Sequence, residues 1–288
     1  GLRGMPLVTT LHGYVRARRY TKMWLYELLD RLALKRLNAV CPVSESMREE
    51  VAPRLGGSTF VQVVANGLDT TAVKQLASEP LTPPVTDFIE KHDPIVLGVG
   101  RLSDEKGFDL LLESFVHVRD RYPNAGLLIV GEGPLKAELQ DRAQDLGLSN
   151  CSLMPGYLKN IPSVLAAASL LALSSRTEGL PITLLEALVV GIPVVSSSVG
   201  AIPVVLRGGE LGRLIEACDT DALSHAINDT LRNSVSAKRC AGKAQSYMEA
   251  HYSAGTMTQA YTEVYWKVLG NDHGQVSGET SKEEASNV

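Results

Sequence analysis

The chain has 288 residues, 44% of them hydrophobic and 21% charged, with a formal net charge of -4. This is the composition of a globular protein able to bury the cores of two domains, and the absence of any apolar run of 18 residues excludes a membrane-spanning helix. The start shows no charged-then-apolar leader pattern, so a cytoplasmic location is expected.

The charge is unevenly spread. Residues 1 to 38 carry eight Lys/Arg (Arg3, Arg16, Arg18, Arg19, Lys22, Arg31, Lys35 and Arg36) against Glu27 and Asp30, a balance of +6, and the remainder stands at -10. From Tyr14 to Leu37 these cations mix with Tyr20, Trp24, Tyr26 and leucines at helical spacing, the pattern of a helix lying on an anionic membrane surface. The same leucines, Leu25, Leu28, Leu29 and Leu32, would equally form the inner face of a crossover helix packed on a sheet.

Apolar, β-branched runs alternate with helical patterns along the chain: "PLVTTLHG", then 17 to 37; "AVCPVS", then 45 to 53; "TFVQVVANG"; "PIVLGVGR", then 107 to 120; "AGLLIVGEG", then 134 to 146; "SLLALSS", then 182 to 190; "IPVVSSS". Repeated strand and helix mean an α/β chain with parallel sheets covered on both faces. "SEPLTPPVTDF" breaks the rhythm, so 78–92 is expected to be a linker. Residues 1–77 then form part of one Rossmann-like domain, 93–250 a complete doubly wound one, 251–270 a C-terminal helix returning toward the first, and 271–288 a disordered polar tail. Only about 70 residues precede the linker, roughly half of such a domain, which predicts that an N-terminal portion is absent.

Cys41, Cys151, Cys218 and Cys240 are far apart, with no Cys-x-x-Cys pair and no histidine at ligand spacing. They read as reduced, mostly buried thiols, with no disulfide framework and no zinc site. Asp219-x-Asp221 has a spacing at which two carboxylates can hold a metal, but it directly precedes the helical pattern "ALSHAINDTL" and reads as an N-cap.

Two constellations carry chemistry. In "LLALSSRTEGLPITLLEAL" a strand and loop lead into a helix opening at Pro181, with Glu178 in the loop and Glu186 in the helix's second turn. Leu184, Leu185 and Leu188 face the core, which leaves Glu186 partly buried and in need of a partner such as a ligand hydroxyl. In "VLGVGRLSDEKGFD", Gly98 and Gly100 end a strand and are followed by Arg101 and Lys106, two cations suited to a diphosphate. Ser103 stands where a dinucleotide fingerprint would place its third glycine. Taken alone, each acid and each cation is ordinarily a solvated surface group, and His12 in "TTLHGY" ordinarily a structural histidine.

Together, "GVGRLSDEKG", "LLIVGEGP", "EGLPITLLEALVVGIPVVSSSVGAIP" and "VANGLD" resemble family 4 of the retaining glycosyltransferases, from Leu7 to about Leu269. The resemblance implies the two-Rossmann GT-B fold. It implies catalytic roles for Glu178 (donor-sugar hydroxyls), Arg101 and Lys106 (diphosphate) and His12 (the other domain's contribution to the cleft). It implies donor contacts from Gly100, the amides of Gly179 and Leu180 (sugar) and of Ile182 and Thr183 (phosphate), Glu186 (ribose) and Lys159 in "PGYLKN" (base-binding loop). The expected partners are a nucleotide-diphospho-sugar and a hydroxyl acceptor, lipid-linked in many members, with no nucleic acid, no cofactor and no metal. The family usually has an acid after its "IP", where this chain has Val204, and a glycine where it has Ala201. Two alternatives stand beside a retaining sugar transfer in polysaccharide or glycolipid biosynthesis: a non-catalytic nucleotide-sugar-binding fragment, and a nucleotide-sugar epimerase of the same architecture.

Overall fold

The computed structural model describes residues 5–12, 22–55, 57 and 59–270. The first unit runs β1 (Val8–Leu11), α1 (Lys22–Leu34), β2 (Ala39–Pro42), α2 (Glu45–Val51), β3 (Phe60–Val61) and α3 (Thr70–Ala77). Its strands pair in parallel in the order β1-β2-β3. After α4 (Val85–Lys91) comes the second unit: β4 (Ile95–Val99), α5 (Phe108–Arg121), β5 (Gly126–Val130), α6 (Lys136–Asp145), β6 (Ser152–Gly156), α7 (Ile161–Ala167), β7 (Leu170–Leu173), α8 (Ile182–Val190), β8 (Val194–Ser197), α9 (Ile202–Val205), β9 (Arg213–Ile215), α10 (Thr220–Arg232) and α11 (Ser234–His251). The chain returns through α12 (Ala254–Val268).

All neighbouring strands of the second sheet are parallel, in the order β6-β5-β4-β7-β8-β9. Every residue of β4, β5, β7 and β8 is buried, which is why these strands read as unbroken apolar runs. Successive side chains alternate between faces. Leu97, Val99, Leu128, Val130, Leu171 and Leu173 join α8 and α11 in one core, and Val96, Leu127, Ile129, Leu170 and Ala172 join α5 and α10 in the other.

The two units meet where Leu68 exchanges backbone hydrogen bonds of 2.8 Å with Tyr252 and Ala254. From there α12 lies against the small sheet. Val264 is buried with Ala39, Cys41 and Val64, and the Tyr261 and Thr10 hydroxyls lie 2.7 Å apart.

Three expectations need correction. The 78–92 stretch holds α4, whose Val85 is buried and whose Phe88 and Ile89 pack on the main core, because a proline pair can open a helix as readily as it breaks one. Leu29 and Leu32 do not form an inner face of α1. They are 53% and 50% exposed, and among the described side chains of α1 only Leu34 is buried. At about 100° per residue, Leu34 lies across the helix from Leu32, so its burial does not extend to the Leu29 and Leu32 side. Of the cysteines, which are all free, only Cys41 and Cys151 are buried, and Cys218 is exposed. Arg16, Arg18, Arg19 and the 271–288 tail lie outside the described residues.

Candidate active site

In this strand order β4 and β7 are neighbours whose onward connections leave in opposite directions, and their carboxyl ends border the crevice where doubly wound sheets bind ligands. The loop after β4 carries Gly100 to Gly107, and the loop after β7 carries Ser174 to Pro181. Lys106 Nζ donates to Glu178 Oε1 at 2.6 Å, and the Ser175 hydroxyl donates to the same oxygen, also at 2.6 Å. The side chains are 21% and 8% exposed, so this is a nearly buried ion pair, in which removal of one partner strands the other. The Lys106 stem lies across Gly100, where a Cβ would meet it at 3.3 Å, a tight contact.

Glu186 stands in the second turn of α8, between the buried Leu185 and Ala187. It makes no hydrogen bond or ion pair among the described residues, and burial pushes its carboxyl up to about 7. A polar group without a partner in such a place marks a candidate ligand contact. Pro181 caps α8 from an extended conformation, and the first-turn amides of Ile182 and Thr183 have no intrahelical acceptor. Leu180 is buried, whereas Ile182 is exposed.

The small unit closes over this loop. Gly179 lies so near the His12 carbonyl that a side chain would overlap it, and the Asn66 side-chain amide donates to the Leu180 carbonyl at 3.2 Å. Lys106, Glu178, Gly100, Gly179, Leu180 and His12 are thus brought together, with Ile182 and Thr183 in the adjoining first turn of α8 and Glu186 in its second. Arg101 is exposed on the β4 loop, its charge acting on Glu105. Lys159 is exposed after β6, the edge strand, two strands away from β4. Asp219 accepts from the Ala222 amide at 2.7 Å as the N-cap of α10. Val204 is exposed, and the Ala201 amide donates to the Gly179 carbonyl at 2.9 Å.

The residue patterns did not single out Ser175, Asn66, Arg176 or Asp109. Asn66 and Arg176 do lie within the distinctive runs "VANGLD" and "RTEGLP", and that location was the available signal. As a whole the site offers Lys106, with Arg101 exposed on the same loop, free helix amides and two carboxyls at a crevice. Such a set can hold an anionic phosphate flanked by hydroxyl-bearing groups.

The chain matches the family described as Glycosyl transferases group 1 over residues 86–247, and Glycosyltransferase Family 4 over residues 1–72. An uncharacterized glycosyltransferase of Methanocaldococcus jannaschii is 37% identical over 136 residues, 47% of this chain and 33% of its own length. The GDP-mannose-dependent alpha-(1-6)-phosphatidylinositol monomannoside mannosyltransferase of Mycolicibacterium smegmatis is 30% identical over 225 residues, 72% of this chain and 58% of its own length. The chain therefore spans between a third and three fifths of those two relatives. The crystal structure of Anabaena HepE with UDP and glucose superposes with a TM-score of 0.78 at 22% identity, covering 91% of this chain and 72% of that one. That likeness shows the GT-B type of fold. With the group 1 match extending over more than half of its residues, the chain belongs to the glycosyl transferases group 1 family.

Proposed function

We propose that this chain is the donor-binding part, with a portion of the acceptor side, of a retaining glycosyltransferase that moves a sugar from a nucleotide-diphospho-sugar to a hydroxyl acceptor in polysaccharide or glycolipid biosynthesis. The observation that carries the reading is the Lys106–Glu178 pair at the β4/β7 crevice, with the unpartnered Glu186 beyond it. Lys106 and Arg101 would meet the diphosphate and stabilise its charge on departure. Glu178 would accept from the donor sugar's hydroxyls and Glu186 from the ribose. His12 would stand at the reacting sugar, Lys159 near the base, and the amides of Gly179, Leu180, Ile182 and Thr183 on sugar and phosphate. The names of the relatives support a nucleotide-sugar donor: one uses GDP-mannose and another was crystallised with UDP and glucose. Retention could proceed by double displacement or by attack on the face the diphosphate leaves. Titration with UDP, GDP and their sugar conjugates tests the reading. One nucleotide class should bind, and Glu186→Ala should weaken it by about 1–3 kcal/mol. Equal affinity in the variant overturns the assignment.

We also propose that α1 rests on an anionic membrane at the cytoplasmic face. Tyr26, Leu29 and Leu32 are exposed on it, and Lys22, Lys35 and Arg36 are exposed at its two ends. No helix among the described residues is long and apolar enough to cross a membrane, so the contact would be peripheral. Sedimentation with phosphatidylserine vesicles should be lost on Leu29→Gln/Leu32→Gln and reduced by salt, each cation contributing roughly 1 kcal/mol. Binding unaffected by either overturns it.

A further inference from the structure

The proposed donor contacts after β4 and after β7 sit on two separate loops, and one arginine joins those loops. Arg176 donates through Nη1 and Nη2 to the two carboxylate oxygens of Asp109 at 2.9 and 2.6 Å. Its Nη1 also donates to the Asp104 carbonyl at 2.8 Å, and its own amide donates to the Glu105 carbonyl at 2.8 Å. The next carbonyl, that of Lys106, accepts from the Ser174 hydroxyl at 3.1 Å. Three successive carbonyls of the Asp104–Lys106 turn are therefore held by the loop after β7. Gly107 completes the seam: its φ is +62°, and a side chain there would overlap the Ser174 carbonyl. The planar fork of an arginine suits this task, since it grips a carboxylate with two parallel bonds and keeps a donor for a carbonyl. The exchange of charge is mutual. The hydrogen bond from Arg176 holds the Asp109 carboxyl below its ordinary range, and Asp109 holds the guanidinium above its own.

A lysine side chain loses much rotamer freedom when fixed, so a Lys106 on an unrestrained turn would seldom point at one place. We propose that Arg176 and Asp109 are positioning residues, which bind the Asp104–Lys106 turn to the loop after β7 and so hold Lys106 where it meets both Glu178 and the donor's diphosphate. This inference rests on the donor-binding reading above. Neither residue is assigned a contact with the donor. Their effect passes through Lys106, and that separates them from a direct ligand.

The test is a double-mutant cycle on the 288-residue chain, with UDP and GDP as the probes. Hydrogen exchange over residues 102–110 is measured alongside it. Arg176→Gln should speed exchange of the turn amides and weaken the bound nucleotide about tenfold, with Arg176→Lys recovering part of the loss. In a Lys106→Ala background the same substitution should change affinity less than about twofold, because the group it positions is already gone. Asp109→Asn should repeat the pattern, and it serves if Arg176→Gln does not fold. Equal losses in both backgrounds, or faster exchange with unchanged affinity, overturn the positioning role alone. If neither UDP nor GDP binds the unaltered chain, the donor reading fails, and the positioning role falls with it.

Discussion

Lys106 and Glu178, 72 residues apart in the chain, face each other at 2.6 Å across the ends of β4 and β7, and each is the other's counter-charge. A bare nucleoside diphosphate that draws Lys106 away would leave Glu178 with the Ser175 hydroxyl but no counter-charge, whereas a sugar-bearing donor would supply hydroxyls to Glu178 as well. Glu178→Gln is therefore expected to tighten UDP or GDP several-fold and to weaken the matching sugar nucleotide about tenfold. Calorimetric titration of both forms checks it, and equal shifts for the two ligands would refute the idea.

The pH dependence of stability should carry the mark of Glu186. Below its ordinary value of 4.5 the carboxyl is protonated in folded and unfolded chains alike. Between 4.5 and about 7 only the folded chain keeps the proton, so stability falls as pH rises, and above about 7 the loss is complete. The expected loss is on the order of 2 kcal/mol once partial solvent contact is allowed for. Glu186→Gln should abolish it, leaving the variant more stable than the native chain near pH 8 and similar near pH 4 in thermal unfolding. Donor hydroxyls would favour the ionised form, so nucleotide affinity should rise with pH through about 7 in the native chain and stay flat in the variant.

The central strand bears the core. Leu97 on β4 is fully buried, and Leu97→Ala should lower unfolding stability by about 2–5 kcal/mol in a denaturant titration. A change below about 0.5 kcal/mol would mean that the site is far less packed than described.

Gly131, just after β5, has a φ of +147° and faces the Gly100 carbonyl so closely that any side chain would overlap it. Gly131→Ala should therefore displace the β4 loop, reducing nucleotide binding more than Leu97→Ala does for the same loss of stability. Measuring both quantities on the two variants decides this.

Nucleotide affinity should be unchanged by EDTA. In the proposed donor set, Lys106 and the α8 amides would provide the positive potential that a metal could otherwise supply. A loss of binding that added magnesium restores would contradict the proposed donor set.

What the sequence disclosed follows from burial. β4, β5, β7 and β8 are covered on both faces and so appear as apolar runs, and α8 was bounded by Pro181 and Gly191. β6 escaped because this edge strand is only half-buried and contains Pro155 and Gly156, and β9 because it has three residues. α3 and α7 were missed although they carry N-caps, Asp69 and Asn160, that were there to be used. At the candidate site, residue type and context singled out Glu178, Glu186 and Lys106, and the structure puts the three at the carboxyl ends of β4 and β7 and on α8. Arg176 was not, because its partner Asp109 is 67 residues away, and only the adjacency of β4 and β7 turns a solvated-looking cation into a clamp.

That adjacency has a consequence for how the protein is made. A ribosome delivers β4, α5, β5, α6 and β6 before β7, so the half of the sheet bearing Lys106 can pair while its counterpart is still unsynthesised. The crevice then exists only after a long loop closes and β7 docks beside β4, an ordering whose entropic cost is met late in assembly. On the proposed reading, nucleotide added to a refolding chain should therefore report the docking of β7 beside β4, and a chain stopped before Glu178 would hold four of the six strands without either carboxylate of the site.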